Sequence, residues 1–268
     1  MNLSNNPKRA LIITMSALFI IGFGIARSYF KYQNKYVDSR VVPARELYKK
    51  YDVYAQDNNF SGILSLLDSI EYVYSNIEHY RESYEMGVLY NNRAATYLTM
   101  ALHFADSSLS LDGINLLSKD SLILLGEQNV IKSILFYKNW LIEFEQLNEE
   151  QIKNAIRDDY FKRLNVKSEK YKENYLKIRI KEITTAQYET KRRLSVAYTN
   201  FGIVQRHKKN YKEAIEYYNL AIELWERNLS AENNLNILLG RPQKKQKAIH
   251  KFFPPDKNDY ASVPKRNE

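Results

Sequence analysis

No proline interrupts the chain between Ala44 and Arg241; all six lie outside that span, at positions 7, 43, 242, 254, 255 and 264. Glycine is nearly as scarce there, with Gly62, Gly87, Gly113, Gly126 and Gly202 and then Gly240 at its very end. Sheets turn on these two residue types, so a stretch this long without proline predicts helices joined by short polar loops. Hydrophobic spacing agrees. Ile63, Leu66, Leu67, Ile70 and Val73/Tyr74 fall on one helical face, and Ala214, Tyr217, Tyr218, Ala221 and Leu224 repeat the rhythm. The expected fold class is all-α, with helices over 44–56, 60–78, 80–104, 108–125, 128–146, 150–164, 167–208, 211–227 and 231–239. Asn58-Asn59, Asp106-Ser107-Ser108 and Lys209-Asn210 read as connections between antiparallel neighbours.

The net charge of +9 invites a nucleic-acid reading, but its distribution argues against a basic folded domain. Residues 1–50 carry a net +7 and residues 241–268 a net +5, which leaves −3 for the long middle. Charge of that kind suits membrane headgroups or solubility better than a groove-reading domain. The absence of cysteine removes disulfides, thiolate metal sites and thiol nucleophiles. His79, His103, His207 and His250 show no metal-ligand spacing, and no phosphate loop or Gly-x-Ser-x-Gly elbow occurs. Asp158-Asp159 and Glu149-Glu150 are adjacent pairs that diverge on a helix, which suits an exposed surface or helix-start charge. Neither a metal, a cofactor, a small-molecule substrate nor a catalytic residue is therefore expected, although a helical bundle can hide a site without short motifs.

Ala10 to Ala26 is an uncharged apolar run of 17 residues, followed by Tyr29, Phe30 and Tyr32. A membrane-crossing helix needs about 17–25 such residues, with aromatic side chains at its interface. The competing reading is a signal peptide, with Gly24-Ile25-Ala26 as the small-residue site. The expected organisation is a short segment 1–9, a single transmembrane anchor over 10–30, a linker over 31–43, a helical domain over 44–240 and a basic tail over 241–268. Lys8 and Arg9 favour a cytoplasmic N-terminus and an extracytoplasmic helical domain, while Arg27, Lys31 and Lys35 dilute the asymmetry.

Residues 195–228 resemble a tetratricopeptide repeat through Tyr198, Phe201, Gly202, Tyr211, Ala214, Tyr218 and Ala221. Small residues at 202, 214 and 221 would let two helices approach, with the aromatic rings filling the space beside them. Gln205 and Glu226 depart from the family pattern. A weaker echo lies at 89–98, through Asn92, Ala94 and Tyr97, with a partner helix expected at 108–125 carrying Gly113 and Leu117. A degenerate one lies at 44–77. Such hairpins stack in groups of about three, because one cannot bury its own apolar face. The resemblance implies a groove lined by the first helices of each pair and occupied by a protein partner. By position, Asn91, Ala95, Leu98, Thr199, Ile203 and Arg206 would face it, with Val88 and Val196 beside them.

One segment pulls the other way. Residues 162–193 hold eleven basic residues against four acids, with Tyr171, Tyr175 and Ile178 as an apolar stripe. The bland reading is a solvated helix face; the sharper one is a contact surface for an acidic partner, anionic lipid or RNA. Two functions stand beside each other on sequence alone: a membrane-anchored scaffold that binds proteins through a tetratricopeptide-like groove, and a binder of anionic polymer or lipid through 162–193 and the tail.

Overall fold

The computed structural model describes residues 36–104, 117–166 and 168–245, and every regular element among them is a helix. In chain order these are α1 (Val42–Gln56), α2 (Phe60–Ser75), α3 (Glu78–Arg81) and α4 (Tyr84–Thr99), which a π-helical turn, Met100–Phe104, prolongs. Then come α5 (Lys119–Phe144), α6 (Glu149–Phe161), α7 (Glu169–His207), α8 (Tyr211–Leu224) and α9 (Leu229–Leu238). The expected anchor at 10–30 and the tail from 246 onward lie outside the described residues. Among those described, no helix is long and apolar enough to cross a membrane.

Three antiparallel pairs form the array: α1 with α2, α4 with α5, and the second half of α7 with α8. The second helix of each pair then packs on the first helix of the next, α2 on α4, α5 on α7 and α8 on α9. This is the arrangement by which helical hairpins bury the face each leaves open. The turns repeat too. After α1, the amides of Asp57, Asn58 and Asn59 reach back to Val53, Ala55 and Tyr54, with Asn58 at φ 54°. After α7, Lys208, Lys209 and Asn210 reach Val204, Arg206 and Gln205, with Lys209 at φ 65°. Both ends are left-handed caps that satisfy the last carbonyls and hand the chain to an antiparallel neighbour. Asn59 then caps α2 by accepting from the Gly62 amide at 2.8 Å.

The expected break between 125 and 128 is absent. α5 is one helix of 26 residues, and Gly126 is a crossing point, where a Cβ would stand 3.0 Å from Leu98 Cδ2. Gly113 lies outside the described residues, and Leu117 stands exposed just ahead of α5, so neither provides the expected packing. The close approach comes instead from Gly87, whose carbonyl accepts from the buried Ser133 hydroxyl at 2.8 Å. A second correction concerns 80–104: the chain turns at Glu82–Ser83, which separates α3 from α4.

Two glycines hold equivalent places. A Cβ on Gly202 would stand 2.5 Å from the Tyr218 ring, and one on Gly87 would stand 2.5 Å from the Tyr137 ring. Both rings are buried in the second helix of their pair. Gly87→Ala gains about 1 kcal/mol of helix propensity. It also forces a buried ring to move, and overpacking of that kind costs about 1–3 kcal/mol. A net loss of stability is expected in denaturant unfolding, with partial recovery when Tyr137→Leu is added. A gain would mean that the ring moves freely.

Candidate protein-binding face and a buried charge cluster

The best-protected charged side chain among those described is Arg179, on the first half of α7 and 1 % exposed. Periodicity puts it there: Leu176, Ile180 and Ile183 are buried on the same side of the helix. The guanidinium is fully engaged. Nη1 donates to Glu85 Oε1 at 2.6 Å and to Glu182 Oε2 at 3.1 Å, Nη2 donates to Glu85 Oε2 at 3.3 Å, and Nε donates to His79 Nε2 at 2.8 Å. Its flat face lies 4.3 Å from the centre of the Tyr80 ring. Arg45, on α1, completes the set by pairing with Glu182 at 2.8 Å. One cation therefore joins α3, α4 and α7, and its partner Glu182 carries the link to α1.

The electrostatics follow from that geometry. Burial pushes the Glu85 carboxyl up, but the Arg179 charge and its hydrogen bonds outweigh this and hold it at about 2. Glu85 also sits in the first turn of α4, where a negative charge is favoured. Burial, then the Arg179 charge, holds His79 well below its ordinary range, so it stays neutral and can accept from Nε. A cleft of about 420 Å³ opens beside the cluster, bordered by Arg45, Tyr74, Tyr84, Glu85, Lys181 and Glu182. Both acids there are paired with arginine, which suits them to clamping helices together. Among the described residues no group of three His, Asp or Glu side chains is placed to hold a metal ion.

The expected groove residues divide. Asn91 on α4 accepts from the Asn200 amide of α7 at 3.0 Å, and Arg206 on α7 donates to Asn234 of α9 at 3.1 Å. Ala95 and Ile203 are half-buried. These four border a face along which the first helices of successive pairs lie side by side. Leu98 and Thr199 do not belong to it. Leu98 is buried against Gly126. Thr199 is buried and accepts from Asn228 Nδ2 at 2.9 Å, in a network that also includes Ser195 and the cap of α9. Its hydroxyl secures the next helix, and the groove expectation for both residues is corrected accordingly.

The basic segment is also different from its sequence reading. Arg179 is interior, Lys162 pairs with Glu78 and Asp159, Lys172 with Glu169, Lys191 with Glu145 and Arg192 with Glu189. Arg192 and Arg193 further lie over the rings of Trp225 and Tyr84. The expected stripe is shifted: Tyr171 is exposed, while Leu176 is buried. Three of the segment's cations, Lys162, Arg179 and Lys191, meet acids from outside it.

No protein-family model matches the chain, no curated protein matches it in sequence, and no solved structure matches it in fold. A net-charge count is blind to helical phase and so does not reveal the Arg179 cluster. Leu176, Arg179, Ile180 and Ile183 spelled out one face, and a lone arginine among aliphatic residues was the available signal.

Proposed function

We propose that this chain is a membrane-anchored adaptor that binds other proteins along the face formed by α4, α7 and α9. The observation that carries the reading is the pair of polar bridges, Asn91–Asn200 and Arg206–Asn234, which join the first helices of successive hairpins edge to edge. A partly exposed row of carboxamides offers donors and acceptors to an extended peptide or a partner helix, and its neighbours Ala95 and Ile203 add apolar contact. The resemblance of 195–228 to tetratricopeptide repeats supports the same use of this face, and the apolar run at 10–26 supports the anchor, with the helical part on the extracytoplasmic side.

The test is crosslinking in intact cells, capture through a C-terminal tag and identification of the attached proteins. Arg206→Glu and Ala95→Arg are expected to lower stoichiometric capture at least about tenfold, as loss of a central contact does. Thr199 is unsuitable as a probe because a charge there would detach α9. Capture that survives both changes, or that carries only lipid or nucleic acid and collapses with salt, would overturn the proposal.

A further inference from the structure

The outer side of α5 carries an apolar seam that nothing described covers. Leu124 is 52 % exposed, Ile131 40 %, Leu135 54 % and Ile142 84 %. Gln128 and Lys138, both exposed, fill the two remaining places, so that 124, 128, 131, 135, 138 and 142 alternate by four and three. That spacing is a coiled-coil seam, and it runs for about 27 Å at 1.5 Å per residue. The inward side of α5 is already used by α4 and α7.

The order of polarity along the seam reads the same in both directions. Apolar, polar, apolar, apolar, polar, apolar is symmetric about position 133. An antiparallel partner centred there would set Leu124 on Ile142, Ile131 on Leu135 and Gln128 on Lys138, each twice. A parallel partner in register would instead stack Lys138 on Lys138 in the seam, where like charges repel. The helix is thus complementary to itself in the antiparallel direction, and that pairing closes as a two-fold dimer.

We infer that α5 is the self-association surface of this protein, and that two copies pair through it antiparallel. The contact is small beside interfaces of about 1,200–2,000 Å² in total, so the dimer is a weak, reversible one. This surface is separate from the face proposed for other proteins, and a dimer would present two such faces.

The chain has no cysteine, which makes the geometry directly readable. The full chain in detergent is prepared in two forms, Leu124→Cys and Ile142→Cys, and the two are mixed under mild oxidation. Antiparallel pairing gives the mixed 124–142 disulfide in preference to either homodimer. Charge changes supply an independent readout in the uncrosslinked protein by light scattering. Gln128→Glu, now facing Lys138, should tighten the dimer roughly five- to tenfold through two equivalent ion pairs. Gln128→Lys should weaken it by a similar factor, and Lys138→Glu should restore it. All these positions are exposed, so unchanged circular dichroism serves as the folding control. Homodisulfides only, or loosening by Gln128→Glu, would mean parallel pairing and overturn the assignment. No seam disulfide and no response to charge would overturn it too, leaving the seam to another protein or to a segment of the chain itself such as 105–116.

Discussion

Arg179→Met is expected to cost about 3–5 kcal/mol of folding stability, the range for breaking a buried ion pair from one side. The side chain removed is interior, and Glu85, only 12 % exposed, would keep its charge without its partner. Methionine replaces the aliphatic stem and leaves little cavity, so the loss reports the charge. The companion variant is the control. Arg179→Met with Glu85→Leu removes the stranded charge, while Glu182 keeps Arg45 as its partner, and should recover most of the loss, because an apolar replacement of a whole buried pair is often close to neutral. Pulse proteolysis in urea on the intact chain measures both. A loss below about 1 kcal/mol for the single change would show that water reaches the cluster and solvates Glu85.

The second large effect is on acid stability, and it comes from the same cluster. His79 is neutral in the folded protein because burial and the Arg179 charge hold its pKa well down. In the unfolded chain it titrates near the ordinary value of about 6.5. The unfolded state therefore takes up a proton first. Stability is fully present above about pH 6.5 and falls as pH drops below it, by up to about 1.4 kcal/mol per pH unit. Glu85 acts in a lower window. Its folded pKa of about 2 lies below its ordinary carboxylate value, so its contribution is present above the ordinary value and lost as pH falls toward 2. His79→Gln keeps an acceptor for Arg179 Nε and does not titrate, so it should flatten the profile between pH 6.5 and 5. His207, also lowered but more exposed, leaves a small residual slope. Unfolding midpoints across that range decide the matter; an unchanged slope in the Gln variant would remove His79 as its source.

The helical class was legible in proline placement, because a missing breaker is a statement about a whole span. Two connections were legible for the same local reason: Asn58-Asn59 and Lys209-Asn210 combine a left-handed residue with a helix start. Glycine misled at 126, since a residue that permits a turn also permits two helices to touch, and only the partner helix distinguishes these uses. The candidate face was half legible. Asn91 and Arg206 reach across to neighbouring helices, whereas Leu98 and Thr199 turned inward, because periodicity gives the side of a helix and not what will be laid over it. Arg179 was illegible to a count of charges and visible to a count of phases.

An array built only from neighbouring hairpins can open from one end, one unit at a time. Here the chain is keyed from within. Two partners of Arg179, Glu85 and His79, lie 94 and 100 residues away in sequence, Arg45 reaches Glu182 across 137, and Arg40 holds the carbonyl of Tyr160 across 120. These ties close large loops over α1 to α7 and make that part a single lock, while α8 and α9 remain attached by local contacts and the Asn228 network. The molecule is less a zip than a latch with a hinged end, and the hinged end carries Asn234, one border of the face that would meet a partner.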